Sequence, residues 1–208
     1  MNDQQNQAVT RSKSVVANPS GMGLFGLAMV TLVASSQKLG FASGTALVLP
    51  WAIFLGAALQ LYASILDAKL DNAFGATAFG GYAFFWFAVA MTWMIQGGLL
   101  GPELAAKADL REIGVAFAGY LVFSLYMTFG AMATSKVLFS IFVLIDLLFL
   151  GLSLSTLGIA REFFHGLAAW SELGIALLSF YGSAASVLNG QYGRTMLPVG
   201  KAFGPRRG

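Results

Sequence analysis

The sequence predicts an all-α integral membrane protein with six transmembrane helices per protomer. Three observations predict it. The 208 residues are 57% hydrophobic and only 10% charged, where a soluble domain carries about 25% charge. Six apolar segments follow one another, each near the roughly 20 residues that span a bilayer core. None of them alternates apolar with polar residues, as the strands of a membrane barrel would. In lipid, that leaves helices to satisfy the backbone within each segment.

The first span is expected over Met22–Leu39. It is opened by Asn18-Pro19-Ser20-Gly21, with Asn18 or Ser20 as N-cap and proline in its favoured place at a helix start. The polar stretch Met1–Ala17 before it reads as a disordered tail. It is too long and polar for the first region of a signal peptide, and no cleavage signature follows. The second span, Thr45–Leu66, ends at Asp67. Asp67 and Asp71 are expected to solvate that helix end or to pair with Lys69 and lipid headgroups.

The third span, Ala78–Leu100, is opened by Asn72-Ala-Phe74-Gly75-Ala-Thr-Ala-Phe-Gly80-Gly81-Tyr82. Its glycines allow backbone to come close to a neighbour or a ligand. The fourth span, Ile113–Ala133, is joined by Thr134-Ser135-Lys136 to the fifth, Val137–Ile159. The sixth is Leu167–Leu188, preceded by a short polar connection holding the only histidine, His165, at the interface. Residues 201–208 form a basic tail. No loop is long enough to hold a soluble domain, so residues 18–200 read as one membrane domain.

Six spans place both termini on one side. That side holds Arg11, Lys13, Lys69, Lys136, Arg194, Lys201, Arg206 and Arg207, against Lys38, Lys107, Arg111 and Arg161 on the other. Eight against four puts both termini in the cytoplasm of a cell-membrane protein. The net charge of +3 follows from this topology, so no nucleic-acid partner is needed to explain it. There is no cysteine and a single histidine, so the chain is expected to hold no metal and no cofactor. HExxH, GxSxG and Walker signatures are missing, which argues against an enzyme.

Asp146 is the one charged residue near the middle of an apolar run. A carboxylate there costs roughly 2.5–3.5 kcal/mol on insertion scales. It is either a titrating group of a transport path or a contact to another helix. Hydroxyls and amides within the spans mostly serve helix packing. Thr31, Ser35, Gln60, Ser179 and Asn189 are the ones singled out for a polar path. No Lys or Arg lies mid-span, so a path for anions would use neutral donors and helix N-termini.

Several blocks resemble the acetate uptake transporter (AceTr) family, which includes the succinate–acetate permeases. The blocks are Asn18-Pro19-Ser-Gly-Met-Gly23, the run from Gln60 through Asn72, Phe74, Gly75 and Tyr82 to Trp86, and Val187 through Asn189 and Arg194 to Gly200. They keep the family's order and spacing over about residues 17–200. The resemblance implies a homo-hexamer in the lipid bilayer, each protomer with its own path for acetate or other small carboxylates. It implies a hydrophobic constriction at Leu27, Tyr82 and Ile145. Tyr82 is the family's usual residue, whereas Phe and Leu are usual at the other two positions, so the constriction is expected to differ in shape. Gly21 stands where a second proline is common. Passage is either channel-like or proton-coupled, and the competing function is a membrane sensor without transport.

Overall fold

The structure, a computed structural model, describes residues 16–203. Among them are six helices long and apolar enough to cross a membrane: α1 (Ser20–Lys38), α2 (Leu49–Lys69), α3 (Ala73–Gln96), α4 (Leu110–Ala131), α5 (Lys136–Thr156) and α6 (Arg161–Tyr192). A short helix, Pro102–Lys107, lies in the α3–α4 connection. The tails expected over 1–17 and 201–208 fall largely outside the described residues. The bundle has a near end, where α1 begins, and a far end opposite to it.

Local chemistry sets the helix starts. Asn72 caps α3 by accepting from the Gly75 N–H at 3.2 Å, and Ser135 caps α5 by accepting from the Leu138 N–H at 3.2 Å, each satisfying a donor the helix leaves open. At α1 the cap position is Pro19 rather than Asn18 or Ser20. Asn18 instead accepts from the Ser20 N–H at 2.9 Å, in a turn just ahead of the helix. Asp109 opens α4 and accepts from Arg111. Those bonds hold its exposed carboxyl below the usual carboxylate range, since they favour the charged form.

Two elements depart from the expected pattern. The α6 helix runs for 32 residues and begins six residues before the apolar run does. Its first turns carry Arg161, Glu162 and His165, which a helix can extend past the apolar slab, so His165 lies on a helix and not in a connection. The middle of α2, Ala52–Leu59, is π-helical. Such segments often sit at functional sites. Here the π segment brings the Leu55 carbonyl against α1, where a Cβ added at Gly26 would lie 2.5 Å from it.

Helix α1 packs on α6, α6 on α5 and α5 on α4, while α2 lies against both α1 and α3. The α3–α4 seam is closed by side chains. The Tyr82 and Ser124 hydroxyls bond at 2.8 Å, and the Tyr120 hydroxyl donates to the Gly81 carbonyl at 3.0 Å. Beyond α6 the chain folds back as a strap along the near end. Its Val199 carbonyl accepts from the Val137 N–H, and its Phe203 N–H donates to the Met132 carbonyl. The outer surface is studded with exposed Phe54, Phe84, Val122, Phe129 and Trp170, as lipid- or protomer-facing helices require.

At Gly26 the packing leaves no room, and the nearest atom is backbone, the Leu55 carbonyl oxygen. Gly26→Val should lower stability by about 1–3 kcal/mol, the usual cost of overpacking against a backbone atom that cannot yield. Thermal unfolding of the detergent-solubilised protein should show a lower midpoint.

Candidate functional site: two cavities and an apolar septum

Helices α1, α3 and α5 are the elements that line both of two cavities, one opening at each end. The near cavity, of ≈ 270 Å³, is lined by Ser20, Leu24, Leu27, Gln60, Asp67, Asn72, Phe74, Gly75, Tyr82, Thr134, Phe142 and Ile145, among others. The far cavity, of ≈ 320 Å³, is lined by Lys38, Phe85, Trp86, Thr92, Gln96, Ser155, Arg161, His165 and Glu172, among others.

Between them lies an apolar septum. Leu27, Tyr82 and Ile145 come from α1, α3 and α5, are all buried, and all line the near cavity. Tyr82 faces the near cavity and Phe85 the far one. They are three residues apart, so along α3 the two cavities approach within about one helical turn, roughly 4.5 Å. Behind them Phe149 stacks on the Tyr82 ring at 6.3 Å and meets the Phe85 ring edge-on at 5.0 Å. The Tyr82 hydroxyl is committed to Ser124, so the ring and not the hydroxyl forms the cavity wall. Sequence reasoning missed Phe85 and Phe149, because aromatic residues occur throughout these spans.

The α1–α6 pair fixes the depth of the remaining polar residues. At the near end the Ser183 hydroxyl donates to the Gly21 carbonyl at 2.6 Å. At the far end Lys38 donates to Glu172 at 2.9 Å. Thr31, Ser35 and Ser179 lie between these two clamps and line neither cavity. Thr31 donates back to the Leu27 carbonyl at 2.7 Å and Ser35 to the Leu32 carbonyl at 2.9 Å. The Ser179 hydroxyl is buried with no partner among the described residues.

The other expected path residues divide. Gln60 lines the near cavity. Asn189 does not line either cavity and instead holds the strap. It donates to the Leu197 carbonyl at 2.9 Å and accepts from the Met196 and Leu197 N–H groups at 2.7 and 2.9 Å. Of the signature residues, Asn72, Phe74 and Gly75 line the near cavity, whereas Gly23 packs against the Phe79 ring. Asp146 lines neither cavity. It is part-buried against α4, where the Thr128 hydroxyl donates to its Oδ2 at 2.7 Å.

Asp67 differs from its expected setting. Asp67 does not solvate a helix end: it is 2% exposed, lines the near cavity and accepts from the Asn72 amide at 2.9 Å. Asp71 is exposed, with φ of 56°. Glu172 is 2% exposed and paired with Lys38 at the far end. No signal in the sequence joins residues 134 positions apart.

The GPR1/FUN34/yaaH family profile matches residues 2–201. The chain is 32% identical over 189 residues to the succinate-acetate/proton symporter SatP of Escherichia coli K12, covering 90% of this chain and 97% of that one. It is 30% identical over 141 residues to acetate permease A of Emericella nidulans, covering 64% of this chain and 47% of that one. A solved structure of the bacterial acetate channel SatP superposes with a TM-score of 0.82 at 31% identity, covering 89% of this chain and 99% of that one.

Removing one partner of a buried ion pair strands the other. Lys38→Met and Glu172→Leu should therefore each cost about 3 kcal/mol, and the double substitution should recover most of the loss. Thermal melts of the three variants measure both effects.

Proposed function

The chain belongs to the GPR1/FUN34/yaaH family, and we propose that it is a membrane channel or permease for acetate and related small carboxylates, succinate among them. The observation that carries this reading is the pair of cavities separated by the apolar septum of Leu27, Tyr82 and Ile145. The names of the similar proteins agree with it.

The geometry suits a small carboxylate. The far cavity gathers an anion with Arg161 and His165, while Lys38 is held by Glu172. At the septum the solute sheds water, and its methyl group meets the Leu27, Tyr82 and Ile145 side chains. Ser179, buried with an unpartnered hydroxyl, supplies a donor that replaces part of the lost hydration. In the near cavity, Ser20, Gln60 and Thr134 restore polar contacts.

The protomers assemble as a homo-hexamer, each with its own path. The exposed aromatic and branched side chains of α4, including Val122 and Phe129, support an apolar protomer or lipid boundary. Both termini face the cytoplasm, so the near cavity is the cytoplasmic one and Asp146 acts as a helix contact.

Labelled acetate should enter proteoliposomes in a protein-dependent, saturable manner, and a purified, folded protein with no anion flux would sink the reading. Tyr82→Ala should relax size selectivity, raising lactate and succinate uptake several-fold relative to acetate and formate. Unaltered selectivity would remove Tyr82 from the constriction.

A further inference from the structure

Two buried oxygens on one face of α2 lack hydrogen-bond partners among the described residues: Gln60 Oε1 and Asp67 Oδ2. Both residues line the near cavity. They are seven residues apart, hence two turns along the same face, about 10.5 Å. Gln60 is fully buried and its amide N–H donates to the Gly56 carbonyl at 2.7 Å, so its oxygen is the free group. A buried acceptor without a donor is costly and calls for an explanation.

The surroundings of Asp67 select which of its oxygens stays free. The Asn72 amide N–H donates to Oδ1 at 2.9 Å, while the Asn72 carbonyl oxygen caps α3 through Gly75. Oδ2 lies against Gly75, where any Cβ would collide with it. Asn72 and Gly75 thus hold the carboxyl in place, with Oδ1 paired and Oδ2 buried without a partner among the described residues. No other side chain lining this cavity carries a charge. Its one other titratable group is Tyr82, bonded to Ser124. The remaining polar side chains facing it are Ser20 of α1 and Thr134 of the α4–α5 turn, both neutral.

A carboxylate entering this cavity meets a second carboxylate. Two such groups share a confined site when one proton lies between them. We propose that Asp67 is the proton-binding group of the near cavity, with Oδ2 sharing one proton with the carboxyl group of the permeating acid. This rests on the permeation reading above. The proton is bonded to one of the two oxygens and hydrogen-bonded to the other. When the pair separates toward the near end, the carboxylate and the proton both pass to water, and Asp67 returns to its ionised form. In the opposite direction near-side water protonates Asp67, the proton passes to the entering carboxylate, and the neutral acid crosses the septum. In either direction one proton crosses with each monocarboxylate, so the net movement carries no charge. Gln60 Oε1 offers an acceptor for the acid O–H two turns deeper.

The test uses lactate uptake into proteoliposomes with a lumenal pH dye and a potassium–valinomycin potential, with protein-free vesicles subtracted. The parent should acidify the lumen with lactate uptake, and its rate should change less than about twofold over 100 mV. That potential is worth about 2.3 kcal/mol per elementary charge. Asp67→Asn presents an amide donor where the protonated acid would be. It should lose lumenal acidification per lactate taken up, and the flux that remains should become several-fold potential-dependent. Asp67→Glu, which still titrates, should keep the acidification. Unchanged acidification in Asp67→Asn would overturn the proposal, as would potential-driven flux without acidification in the parent. Loss of all flux in both Asp67→Asn and Asp67→Glu would give the residue a structural role instead. Absence of protein-dependent flux in the parent would overturn the permeation reading itself.

Discussion

Everything in this molecule depends on one constraint: inside a bilayer, a polar group must find its partner within the protein. The constraint makes the six spans helical, and it sorts their polar side chains. Thr31, Ser35 and Ser36 bond back to their own helix. Longer-range pairs then stitch helices together. Ser183 joins α6 to α1, Lys38 joins α1 to α6, Tyr82 joins α3 to α4, and Thr128 joins α4 to Asp146 of α5. Because α1 is clamped to α6 at both ends, Leu27 is held at a fixed depth relative to α5 and Ile145.

The constraint also makes its exceptions informative. Among the described residues, the buried side-chain atoms without partners belong to Gln60, Asp67, Asp146 and Ser179. Gln60 and Asp67 face the near cavity, and Ser179 is buried on α6 between its clamps to α1. Asp146 differs, because its other oxygen is bonded to Thr128 and its side chain lies off both cavities. Adjacent helical residues point about 100° apart, so Ile145 can line the near cavity while Asp146 turns toward α4. The residue that stands out most in the sequence is thus not the one best placed to meet a solute.

Hydropathy made the number and order of the spans legible, and the Asn72 and Gly75 signature marked the start of α3. What stayed hidden has physical causes. The helices are apolar nearly all round, so periodicity does not say which face turns inward. In α2 the π-helical segment adds to the difficulty. It rotates the residues after it relative to those before it, so the inward direction of Gln60 and Asp67 cannot be counted from Leu49 at 3.6 residues per turn. An acid next to Lys69 and Asp71 therefore reads as part of a solvated helix end, although Asn72 turns it inward. The Lys38–Glu172 pair was hidden because it depends on the α1–α6 crossing, which no local pattern encodes.

The thinness of the septum decides how costly the proposed passage is. Taking a charged carboxylate wholly out of water costs several kcal/mol or more. Along α3 the lining residues Tyr82 and Phe85 are about one helical turn apart, a length comparable to acetate itself. The methyl group can then occupy the ring of Leu27, Tyr82 and Ile145 while the carboxylate still touches water or a hydroxyl in one of the two cavities. A dicarboxylate lacks this option, since its second charged end must follow the first through the apolar layer unless it is protonated. A proton-binding carboxyl on the near side removes part of that burden by letting charge cross in neutralised form. The range of acids accepted then depends less on the width of the septum than on whether each carboxyl group finds a proton or a donor on both sides of it.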